Sequence, residues 1–157
     1  MIVVSDTSCI TNLIAIAQVK LLEQLFGEVR IPDAVIRELR VIHPELPRFL
    51  RRSAIAHPEC VDALIADGLG AGEAEAIVLA EELHAEYLLI DETEGRAVAS
   101  RRGLAVVGLI GVLRRAKEAG LIEAIRPSVD ALINEHGFWL SAEIRRKALN
   151  DAGESDA

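Results

Sequence analysis

The chain has 157 residues, 51% of them apolar, which suits one domain with a sizeable core. Aromatics are only 3% while Ala, Val, Ile and Leu dominate, a composition that points to helices packed on a parallel sheet, the α/β class. A net charge of −8 argues against a broad nucleic-acid surface, and no apolar run approaches the roughly 20 residues of a membrane helix.

Ile2 to Val4 reads as a first strand. Thr7 to Leu25 reads as helix with a break near Ala17, and Glu28 to Ile31 as a short strand. Pro32 opens a helix that runs to about Val41, its missing N–H being one of the donors that a first turn leaves unpaired. Between residues 44 and 68, Pro44, Pro47 and Pro58 punctuate two short helices, after which Gly68, Gly70 and Gly72 read as a flexible joint. Ala71 to His84 is helical, Tyr87 to Ile90 a strand, Thr93 to Arg102 a helix, Leu104 to Val107 a strand, and Leu109 to Ala119 a helix ended by Gly120. Ser128 to Asn134 and Ser141 to Asn150 give two more helices, each opened by a capping serine. The expectation is one domain over residues 1–150 and a disordered tail over 151–157. Two cysteines, Cys9 and Cys60, in a chain without a charged-then-apolar leader predict a cytoplasmic protein without a disulfide.

Asp6 and Asp91 each follow a strand, where open parallel sheets bind their ligands. Either could simply cap the helix after it. Other carboxylates change the balance. Glu38 shares a helical stripe with Ala34, Val35 and Ile42, and from Glu73 the positions three, four and seven residues on are Ala76, Ile77 and Ala80. Glu75, by contrast, is followed by Val78, Leu79 and Glu82, so Glu73 points more nearly inward. An inward carboxylate is costly unless a positive charge meets it, and neither stripe carries Lys or Arg. The remaining neutralisers are a distant basic side chain or a metal ion. Carboxylates without a Cys or His cluster favour Mg2+ or Mn2+ over zinc, and the commonest chemistry of such a site is phosphoryl transfer, by a phosphodiesterase or a phosphatase.

The string SDTS after the first strand, the PxxVxxE segment (Pro32, Val35, Glu38), LGAGEAEAIVLA, and YLLIDE followed by Arg96 and Ala97 together resemble the PIN-domain family. The similarity is greatest to its prokaryotic VapC-like toxin ribonucleases, above all small PIN-like proteins with a GEAEAI helix, and it covers about residues 1–120. The resemblance implies a three-layer α/β fold with a central parallel sheet of about four to five strands, four acidic residues binding Mg2+ or Mn2+, and RNA hydrolysis. It also implies a homodimer and, for a toxin, a separately encoded antitoxin protein. Carried over by position, the four acids are Asp6, Glu38, Glu73 and Asp91, with Glu75 as fallback for the third and Glu94 for the fourth. Asp6 becomes the central ligand, and Ser8 matches a small polar position near the metal.

Other features carry less. Arg96 is a phosphate contact or the partner of Glu92, four residues earlier. Basic clusters such as Arg114, Arg115 and Lys117 are solvated faces or contacts to RNA or to an acidic antitoxin segment. The four histidines show no ligand spacing, and Trp139, with Phe138 and Leu140, is expected in core or dimer packing rather than base stacking. Two alternatives stay open: a PIN-like protein-binding scaffold with weak or no nuclease activity, and a phosphatase or receiver domain, which the single Asp after strand one disfavours.

Overall fold

A computed structural model describes residues 1–155. Strands β1 (Val3–Ser5), β2 (Val29–Ile31), β3 (Leu50–Arg52), β4 (Tyr87–Leu89) and β5 (Val106–Val107) form one parallel sheet in the order β3-β2-β1-β4-β5. The helices between and after them are α1 (Thr7–Ala15), α2 (Lys20–Phe26), α3 (Asp33–Arg40), α4 (Pro58–Ala66), α5 (Ala71–Glu82), α6 (Thr93–Arg101), α7 (Leu109–Glu118), α8 (Arg126–Glu135) and α9 (Ala142–Asp151).

Alternation along the central strands builds the layers, because successive strand residues face opposite sides of a sheet. Val3 and Leu89 join one apolar cluster with Ile10, Leu13, Leu22 and Leu113. Val4, Leu88 and Ile90 face the other way, into a cluster with Leu64, Ile77 and Leu79. A sheet buried on both faces needs near-continuous apolar strands, and VVS and YLLI supply them. The result is the three-layer α/β arrangement.

The break near Ala17 is real: Ala17 takes a left-handed φ of 57°, ending the first helical run before α2 begins. Four readings are revised. The first short helix expected between 44 and 68 is instead β3, an edge strand on which Leu50 is buried while Arg51 and Arg52 face solvent, as charged edge strands often do. The glycine joint is no joint at its far end, because Gly70 caps α5 and Gly72 lies buried inside it. Ser128 is a buried residue within α8, which starts at Arg126 with no side-chain cap; Ser141 does cap α9, accepting from the Ile144 N–H at 3.1 Å. The expected disordered tail starts inside α9, and Glu154 accepts from the Ile125 and Arg126 N–H groups and pairs with Lys117 at 3.0 Å. Asp156 and Ala157 lie outside the described residues. Cys9 and Cys60 are both free thiols. No described helix is long and apolar enough to cross a membrane.

From β1 the chain moves outward through β2 and β3, then returns through α4 and α5 to β4 on the other side of β1. That reversal opens a cleft beyond the carboxyl ends of β1 and β4. Asp6 and Asp91 stand at those two ends.

Candidate active site

Asp6 is the residue after β1 and the N-cap of α1. Its N–H donates to the Leu89 carbonyl at 2.9 Å, which ties this strand end to β4. Its Oδ1 accepts from the Cys9 N–H and its Oδ2 from the Ser8 hydroxyl, both at 3.2 Å. Only 1% of Asp6 is exposed. Burial pushes its carboxyl up to about 7; the Cys9 and Ser8 hydrogen bonds pull the other way, and the charges of Asp91 and Glu73 add to the rise. The capping role is therefore filled, by a carboxylate that carries its charge at a cost.

Glu38 reaches the same place from α3. Its carboxylate accepts from the Thr7 hydroxyl at 2.6 Å and from the Gly72 N–H, in the first turn of α5, at 3.0 Å. An anion at a helix N-terminus is favourably placed. The expected inward stripe stops short of Glu38, which is exposed: Ala34 and Val35 are buried, but Ile42, four residues on, is itself 67% exposed.

Glu73 sits one residue further along α5 and is half-buried. Its Oε2 is shielded from solvent and has no hydrogen-bond partner. Burial raises its pKa first, then the charge of Glu92; the Gly70 N–H partly offsets this, and Glu38 and Glu94 add to it. Gly95 on α6 makes the room: a Cβ there would stand 2.5 Å from Glu73 Oε2 and 2.7 Å from Ile90 Cδ1.

These side chains line one cavity of about 310 Å3. Asp6, Thr7 and Ser8 come from the start of α1, Thr11 and Asn12 from its next turn, Glu38 from α3, Glu73 from α5, and Glu92 from the residue before α6. Every charged group in the lining is acidic. Thr7, Thr11 and Asn12 are additions to the residues singled out in the sequence, and Glu92, weighed there beside Arg96, joins the lining. Thr11 and Asn12 lie three and four residues after Ser8, the spacing that places side chains on one helix face, and that signal could have found them.

The other candidates separate. Glu75 turns to the start of α3, where Oε1 accepts from the Ala34 N–H at 3.0 Å and Oε2 lies 3.8 Å from Arg37. Asp91 stands at the back of the site: its charge reaches Asp6, but its Oδ1 accepts from the Leu109 N–H at the start of α7, at 2.8 Å. It lines a neighbouring groove, together with Arg96. Arg96 makes no ion pair with Glu92; its guanidinium lies over Gly108, where a Cβ would come within 3.0 Å of it. Glu94 is exposed and lines neither space, although its charge is felt at Glu73.

Among the described residues no three Asp, Glu, His or Cys side chains converge as a ready-made metal site. The donor chemistry nevertheless suits a hard cation: all ligating atoms are oxygens, one is buried without a partner, and two of the carboxyls are pushed upward in pKa by desolvation and mutual repulsion. A cation in the cavity would offset that repulsion.

No curated protein matches the sequence. A family model described as a PIN domain matches residues 2–154, nearly the whole chain, including the C-terminal helices beyond the motifs that carried the resemblance. With the parallel α/β sheet and the acidic cleft at its reversal point, this match shows that the chain belongs to the PIN-domain family, whose members are generally metal-dependent nucleases.

Proposed function

We propose that the cavity is the active site of a Mg2+- or Mn2+-dependent endoribonuclease, in which Asp6, Glu38 and Glu73 hold the cation and Asp91 supports them from behind. The observation that carries this reading is the cavity's wholly acidic charged lining, in which Glu73 also keeps one oxygen, Oε2, buried beside Gly95 without a partner. When bound, the cation supplies Lewis acidity, lowering the pKa of a water and offsetting charge on the departing oxygen of a phosphodiester.

The chain's own residues set the geometry. Asp6 is fixed by two hydrogen bonds and a strand-to-strand bond, so its carboxylate is presented without rotamer freedom. Glu38 is clamped between Thr7 and Gly72, which locks α3 to the start of α5 across the cavity. Thr11, and Asn12 with the N–H left over from its 3.0 Å bond to the Ser8 carbonyl, offer neutral donors to a phosphate oxygen or a water, while the Ser8 hydroxyl on the same helix face donates to Asp6. Ligand pockets run from about 300 Å3 upward, so this cavity has room for a hydrated ion and a phosphate group, and the rest of a polynucleotide lies outside it.

The finer reading, a cytoplasmic toxin with RNA as substrate, a separately encoded antitoxin and a homodimeric form, rests on the resemblance of the motifs to VapC-like ribonucleases. The test is cleavage of a mixed RNA pool by the purified protein with Mn2+, Mg2+ or EDTA, followed by sequencing of the ends. The proposal expects cuts with either ion and none in EDTA. A protein inert with both ions would instead be a PIN-like scaffold, and cleavage unaffected by EDTA would sink the metal mechanism.

A further inference from the structure

Asp91, Glu92 and Thr93 form a wall with two sides. Glu92 lines the acidic cavity, while Asp91 and Thr93 line a second groove of about 640 Å3 between α6, α7 and α9. Four cations lie along that groove, Arg96, Arg114, Arg115 and Lys147. Against them stand three acids, Asp91, Glu118 and Asp151, which leaves a local excess of one positive charge in a chain of net charge −8. Two of the cations are engaged in exposed i,i+4 pairs, Arg114 with Glu118 at 3.6 Å and Lys147 with Asp151 at 2.8 Å, contacts weak enough to exchange for a phosphate. Arg115 lies over the Tyr87 ring at 4.6 Å, and Arg96 has no ion-pair partner among the described residues.

The link between α8 and α9 adds an aromatic to this groove. Trp139, expected in core or dimer packing, is 78% exposed and lines the groove with Phe138 and Leu140. An indole left in water forgoes a large apolar burial. A cationic groove with an exposed aromatic is the combination that single-stranded nucleic acids use, phosphates meeting the cations and a base stacking on the ring. An acidic protein segment would use the cations but not the indole face, and a rigid duplex could not lay one unstacked base on it.

Resting on the reading of the cavity as a nuclease site, we infer that this groove is the track along which single-stranded RNA leaves the cavity, with Arg96 at the phosphate beside the shared wall and Trp139 as a stacking platform for one base. The neutral face of Ser8, Thr11 and Asn12 and this groove then flank the acidic centre from two directions.

Trp139 is the single tryptophan of the chain, so its fluorescence reports on the proposed contact directly. The full chain is titrated with a 12-nucleotide single-stranded RNA in EDTA, reading tryptophan emission and, with labelled RNA, anisotropy. Emission should be quenched in step with binding. Trp139→Ala should weaken binding roughly tenfold, Trp139→Phe should restore most of it, and Arg96→Gln should lower the salt dependence by about one phosphate contact. Binding with unmoved emission, or an equal response to polyglutamate or to a duplex of the same sequence, would overturn the proposal. Cleavage is read separately with Mn2+: quenching by RNA in a protein that never cuts would uphold the track and sink the nuclease reading, whereas cutting that is indifferent to Trp139 and Arg96 would do the reverse.

Discussion

Glu38 and Gly72 are joined by a 3.0 Å hydrogen bond that leaves no space for a side chain at position 72: a Cβ there would fall 2.5 Å from Glu38 Oε1 and 2.9 Å from Thr7 Oγ1. The glycine is required by its neighbours, and its own backbone is ordinary helix. The atoms in the way are the ends of flexible side chains, which can retreat at little cost.

Gly72→Ala should therefore separate activity from stability. Alanine gains up to about 1 kcal/mol of helix propensity over glycine, which offsets the displacement, so melting should change by no more than a few degrees. The displaced Glu38 should lower the cleavage rate by about tenfold or more, as loss of a residue that orients a metal ligand does. Thermal melts and single-turnover cleavage on the same preparation check both halves.

Asp6 gives the fold a pH dependence with a definite sign. Its carboxyl is raised from 3.8 to about 7 in the native state, so between those values the folded protein keeps a proton that the unfolded chain has lost. Without divalent ions, stability should fall as pH rises through this window, by about 4 kcal/mol at most, and level off above it. Asp6→Asn keeps the Oδ1 that caps α1 and removes the charge, so its urea midpoint should exceed that of the native protein at pH 8 and match it near pH 4. A native protein no less stable at pH 8 than at pH 5 in EDTA would contradict this.

Glu73 and Glu75 are two residues apart on α5 and should behave oppositely. Glu73→Gln relieves a carboxylate with an orphaned oxygen, so it should leave stability unchanged or raised while abolishing cleavage. Glu75→Ala removes the acceptor of the Ala34 N–H and should cost about 1–2 kcal/mol while cleavage persists. Denaturant titrations and rates of the two variants, compared pairwise, decide it.

A cation that binds the native cavity and not the unfolded chain raises the melting temperature by mass action. Millimolar Mn2+ should raise that of the native protein, and EDTA should reverse the shift. Asp6→Asn and Glu73→Gln should lose most of the response, and Glu75→Gln should keep it. A shift of equal size in all of them would place the ion elsewhere.

Much of this organisation is legible in the amino-acid order. Valine and leucine runs mark β1 and β4, and Pro32 marks the start of α3, because strand burial and helix initiation are local demands. Helical phase does not rank Glu73 above Glu75, because both are half-buried on α5; the partners supplied by other elements part them, Ala34 and Arg37 for Glu75 and the acidic cavity for Glu73. β3 is not legible, because a three-residue edge strand reading Leu-Arg-Arg owes its pairing to β2 rather than to its own pattern. Gly72 and Gly95 are illegible for a related reason. Each is fixed by a carboxylate from another element, 34 and 22 residues away along the chain, and a glycine required for space looks the same in sequence as one required for a turn. The exposure of Trp139 is likewise a tertiary outcome, decided by the absence of a described partner over the link between α8 and α9.

The measurement that bears most directly on the acidic cavity as a metal-dependent nuclease site is single-turnover cleavage of one mapped RNA substrate by the native protein, Asp6→Asn and Glu75→Gln, each with Mn2+ and with EDTA. The cavity geometry predicts cleavage by the native protein and Glu75→Gln in Mn2+, a loss of at least about 100-fold in Asp6→Asn, and none in EDTA. Cleavage by Asp6→Asn at the native rate, or cleavage that survives EDTA, would contradict it.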